Sequence, residues 1–188
     1  TLRASRLTPE YDAPALQARR GLIPESVSHE GYLAQPVHSY WDSFWALKGL
    51  EDGAQLCRDF GERHWAEQFT QQAVHLRKCI RESIAQVIET RAIPHVPGSV
   101  EWADADPTAS ACAVGQLGEK ECFPAEALRY TFDGFLQLWR TRMADAATRT
   151  KYSAYDIRVI NALLKLGRRK EAWEIARIYL DDRRPCAW

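Results

Sequence analysis

This chain carries no excess of charge of either sign. Its 25 lysines and arginines are matched by 25 aspartates and glutamates, so it builds no field to draw in nucleic acid or an anionic membrane. Apolar runs extend over only a few residues, too short to cross a bilayer. The five cysteines (57, 79, 112, 122 and 186) include no C-x-x-C pair, which argues against a zinc or redox motif and for plain thiols. Nucleotide-binding glycine loops, P-loops and the G-x-S-x-G elbow are missing too. No cofactor is implied. His38 and Asp42 stand four apart, a ligand spacing on a helix, but lack a third partner, and His29-Glu30 lacks the second histidine of a zinc protease helix. Strand signals are thin: β-branched runs are short and alternation is absent.

What is present is helical period and tryptophan. From Tyr40 to about Phe60, apolar residues fall at 41, 44, 45, 47, 50, 54, 56 and 57, the spacing of a helix with a broad buried face. Gly61 breaks it. Trp65, Phe69, Val74, Leu76, Ile80, Ile84, Val87 and Ile88 then recur at threes and fours. The pattern predicts an all-α fold with helices over 41–59, 62–90, 107–117, 124–145, 153–166 and 168–182, arranged as three consecutive hairpins. Residues 1–38 read as a polar lead-in and a long ordered loop, and 39–188 as the helical domain. Pro107 and Pro124 sit where helices open, and Gly118 and Gly167 where they end. No signal peptide is visible and the chain starts at Thr1, which points to a processed chain or a piece of a longer one. The N-terminus therefore gives no localisation.

The helix starts repeat a theme. S-Y-W-D (39–42) opens the first helix, E-W-A-D-A-D-P-T (101–108) precedes the third, and S-A-Y-D (153–156) opens the fifth. In stacked hairpins all odd helices point the same way, so these starts gather at one end. S-x-x-D is also close to a capping box, and Asp106 before Pro107 is a plausible N-cap. Capping by itself does not account for the aromatics beside the acids. Sugars present hydroxyls to carboxylates and C–H faces to rings, and glycoside hydrolysis needs one protonated and one ionised carboxyl. Tyr40, Trp41, Asp42, Trp45, Trp102, Tyr152, Tyr155 and Asp156 are thus the expected substrate contacts. Glu101, five residues before the proposed cap, is the expected catalytic acid, its pKa raised by Trp102, and Asp104 is its rival. Asp42 is expected to stay ionised and accept hydroxyl hydrogen bonds.

Y-W-D-S-F-W (40–45) resembles the Y-W-D-S-Y signature of trehalases and related segments of processing α-glucosidases. L-K-G-L-E-D-G-A (47–54) continues like the helix after that signature. The resemblance covers about residues 36–50 and, less closely, 97–113. It implies an (α/α)₆ toroid whose active site lies where the inner helices begin, and an inverting glycoside hydrolase acting on a glucoside-like sugar. The S-G-W-D-F-S segment that holds the trehalase acid has no match here. About six helices, against the twelve of a toroid, imply a fragment of the ring, at least one catalytic carboxylate supplied from outside this chain, and an exposed apolar edge covered by the remaining half or another subunit. The rivals are a helical-repeat interaction module and a sugar-binding toroid without chemistry.

Overall fold

The computed structural model describes residues 2–27, 34–149 and 153–181. The fold is all-α, and among the described residues the only β pairing is three isolated bridges. The helices are α1 (Tyr40–Asp59), α2 (Arg63–Arg91), α3 (Pro107–Ala111), α4 (Ala125–Ala144), α5 (Ile157–Lys165) and α6 (Arg169–Asp181). Three short 3-10 turns over 2–19 make up the lead-in. The third helix departs from the prediction: after Ala111 it widens into one π turn, Cys112–Gln116.

Each hairpin turns where the backbone goes left-handed at glycine. Gly61 (φ +78°) joins α1 to α2, and Gly167 (φ +77°) joins α5 to α6. The α1–α2 pair interlocks Phe44, Leu47 and Ala54 with Ala73, Leu76, Ile80 and Ile84 in one core. Trp65 and Val74, which fit the helical period, lie outside that stripe and are exposed. Phe132, Leu136 and Trp139 of α4 and Val159, Ala162 and Leu163 of α5 extend the core. The π turn exists beside a close approach. A Cβ on Gly115 would lie 2.9 Å from the Ala162 backbone nitrogen, so only glycine lets the chain pass α5 at this distance. Trp45, Leu56 and Phe60 turn outward from α1, with Phe60 77% exposed.

Candidate functional site

The start of α1 is stitched through the backbone to the loop before α3, and that loop is closed on itself. Ser39 bridges Ser99, and Pro97 bridges Ala105. The Tyr40 N–H donates to the Gly98 carbonyl, and the Val100 N–H to the His38 carbonyl. The start of α5 joins them through a side chain. The Arg158 guanidinium lies 4.6 Å from the Trp41 ring centroid and 4.5 Å from that of Tyr155. Each such contact contributes about 0.5–2 kcal/mol, depending on desolvation. Trp45 meets Trp41 edge-on at 5.6 Å. The aromatic residues of the first and fifth helix starts therefore share one cation, and those of the third start lie on a loop bridged to the first.

The three aspartates of the repeated theme do different jobs. Asp106 is a true N-cap: its Oδ1 accepts from the Thr108 and Ala109 N–H groups and from the Thr108 hydroxyl. Asp156 completes a capping box with Ser153 and also accepts from Arg142, at 3.2 Å. Its side chain is 8% exposed, so it sits inside as a helix starter rather than on a ligand surface. Asp42 breaks the rule. Ser39 holds the N-cap position of α1, but its hydroxyl makes no capping bond, and Asp42 Oδ2 instead accepts from the Ser26 hydroxyl at 2.8 Å. The Ser39 and Ser43 hydroxyls are buried with no hydrogen-bond partner among the described residues.

Glu101 was expected to have a raised pKa, and the opposite holds. Oε1 accepts from Arg19 Nε at 2.9 Å and from His38 Nδ1 at 2.8 Å, and Oε2 accepts from the His38 backbone N–H at 2.8 Å. Burial by itself would raise its pKa, but the His38 ring, the His38 N–H and Arg19 outweigh it and bring the group down to about 2. Trp102 does not produce the expected rise, because its indole is itself about half exposed. Glu101 is an ionised clamp joining the lead-in, the loop before α1 and the loop before α3. His38, 4% exposed, is completed on its other face by Arg6 Nε at 3.3 Å. Asp104, half-buried, accepts from the Ser99 hydroxyl at 3.2 Å.

Tyr40 also moves from ligand contact to core. It is buried, and its hydroxyl pairs with Ser83 Oγ at 2.7 Å, while Ser83 donates on to the Ala18 carbonyl. Burial, partly countered by Ser83, pushes its phenol well above the ordinary range. Trp41 is 8% exposed and has Arg158 over its ring. Trp45, Trp102 and Tyr155 keep open surface. Tyr152 lies outside the described residues, as do His29 and Glu30. No group of three or more metal-ligating side chains occurs among the described residues.

Among the described residues, the crevice beside the first turn of α1 is shallow. The crevice between Tyr40, Trp41, Pro97 and Ser110 holds about 10 Å³, room for no more than a water molecule. A hollow of about 850 Å³ runs along α2 between Arg20, Lys78, Glu82 and Gln86, and is lined by no Trp, Tyr or Phe. The sequence reading missed Arg158, Arg19 and Ser26. Arg158 had a signal, since it stands one helical turn after Tyr155. Arg19 and Ser26 had none, because their partners are distant in sequence. Comparison with known protein families, characterised proteins and solved structures finds no match to this chain.

Proposed function

We propose that the chain forms part of an (α/α) toroid that binds a glucoside-like sugar at the starts of α1, α3 and α5 and hydrolyses it with inversion. The observation that supports this reading most is the Trp41–Arg158–Tyr155 stack beside the bridged α1 and α3 starts. It brings Trp41 and Tyr155 onto one guanidinium with Trp45 edge-on to Trp41, while Trp102 and Asp104 stand on the loop bridged to the start of α1. Three helix pairs are half of the six a toroid needs, so the second carboxyl comes from another part of the ring. Asp104 is the acid candidate, because Glu101 is locked as an ion and cannot carry a proton at neutral pH. Asp42 accepts sugar hydroxyls.

The test is turnover of an unactivated glycoside by the full-length protein. Asp104→Asn should lower turnover by roughly 100-fold or more, with ligand binding held within a few-fold. Full activity in that variant removes Asp104 from the acid role. If no member of a broad aryl-glycoside panel is cleaved, hydrolysis is abandoned. Sugar binding without cleavage then favours the non-catalytic toroid. Absence of both favours the interaction module.

A further inference from the structure

We infer that the outer face of α6 is a docking surface for an acidic amphipathic helix. The chain's charge is balanced overall, but this face is not. Arg169, Lys170, Trp173 and Arg177 are exposed, while Ala172 and Ile175 are buried. At about 100° per residue the four fall on one side of the helix, with Trp173, 61% exposed, between the cations. The acids nearest in sequence are already paired. Glu174 accepts from Arg140 Nε at 2.8 Å and Nη2 at 2.7 Å, and Arg177 acts on it only at longer range. Glu171 accepts from Arg168 Nε at 3.1 Å, and Arg168 Nη1 also meets Asp133 at 2.7 Å. The remaining acid of α6, Asp181, is its last residue. Among the described residues, Arg169, Lys170 and Arg177 form no ion pair.

Arg169 and Lys170 stand in the first turn of α6, at the positive end of its dipole, where cations oppose the helix. Helix formation does not account for them, and neither does packing, since both are exposed. Tryptophan and arginine are the side chains that most often anchor an interface. The cations lie on either side of Trp173, seven to eight residues apart in sequence, or about 12 Å along the axis. A helix laid alongside repeats at the same interval. Carboxylates two turns apart on it, with an apolar residue midway, meet both groups of cations and the indole together. The neighbouring charges of α6 are closed Arg–Glu pairs, so the uncompensated field is one helix wide. That width suits a helix rather than a bilayer plane. The inference does not depend on the carbohydrate reading.

The experiment is binding of a fluorescein-labelled peptide of three Glu-Glu-Ala-Leu-Ala-Ala-Gln repeats to the full-length protein, read by anisotropy. The same peptide with glutamine for glutamate is the neutral control, and sedimentation with phosphatidylserine vesicles tests a lipid surface. The acidic peptide should bind about tenfold or more tightly than the neutral one, and the gap should shrink as salt is raised. Combining Arg169→Gln, Lys170→Gln and Arg177→Gln should erase the gap, and Trp173→Ala should weaken the acidic peptide by about tenfold. Circular dichroism checks that each variant keeps its helix content, and Arg177→Gln alone, which should narrow the gap, serves if the triple variant fails to fold. Equal binding of the two peptides, no binding of either, a gap that survives the triple variant, or an affinity untouched by Trp173→Ala overturns the proposal. Vesicle binding that is lost in the triple variant, without a preference between the peptides, assigns the face to lipid and overturns it as well.

Discussion

The Glu101 carboxylate meets His38 twice, at 2.8 Å from the imidazole Nδ1 and at 2.8 Å from the backbone nitrogen. It ties the loop before α3 to the last residues before α1, and Arg19 extends the tie to the lead-in. The group's pKa is lowered from 4.5 to about 2 on folding. Its stabilisation is therefore fully present above the unfolded value and is lost as pH falls through the folded one. Glu101→Gln should cost on the order of 2 kcal/mol at neutral pH. In urea melts, the gap between wild type and variant should close between about pH 4.5 and about pH 2. A gap independent of pH would show that the carboxylate's charge is not what holds the loops.

The N-caps of α3 and α1 can be separated by alanine. Asp106→Ala removes an acceptor of two backbone N–H groups and should cost about 1 kcal/mol. Ser39→Ala should be neutral or slightly stabilising, because its buried hydroxyl has no partner among the described residues. Thermal melts of both variants check the pair. A large loss at Ser39 would reveal a bond that this arrangement does not contain.

Gly115→Ala should destabilise by roughly 1–3 kcal/mol, since its Cβ would press on α5 backbone rather than on a movable side chain. Gly134→Ala in α4 meets nothing within 4 Å and should instead stabilise by about 0.5–1 kcal/mol. Opposite shifts in melting temperature are the expected result. Shifts of the same sign would mean that the approach of the π turn to α5 is not tight.

Core and surface aromatics should separate in a sugar-binding assay. Tyr40→Phe loses the hydroxyl pair with Ser83 and should cost about 1 kcal/mol of stability with affinity unchanged. Trp102→Ala removes a half-exposed indole and should weaken sugar affinity by about tenfold with little loss of stability. Unchanged affinity in Trp102→Ala would move the binding surface away from the loop before α3.

Helix content was open to reading from the sequence because it depends on local facts. Apolar spacing of threes and fours, glycine at 61 and 167, and proline at 107 and 124 each act within one turn of the chain, and the observed boundaries fall within a few residues of those cues. The capping role of Asp156 was legible for the same reason, as its partner Ser153 is three residues away. What each acid at the helix starts faces was decided by tertiary structure. Glu101 looked like a proton donor because only Trp102 adjoins it in sequence, yet its chemistry is set by His38 and Arg19, 63 and 82 residues away. Asp42 shares the S-x-x-D spacing of Asp156 and was expected to meet sugar hydroxyls, yet it is Ser26, from a separate loop, whose hydroxyl reaches it. Arg158 gained its second ring from α1, far upstream in the chain. A pKa or a stacking site is a sum over neighbours in space. Packing alone determines which distant groups become those neighbours.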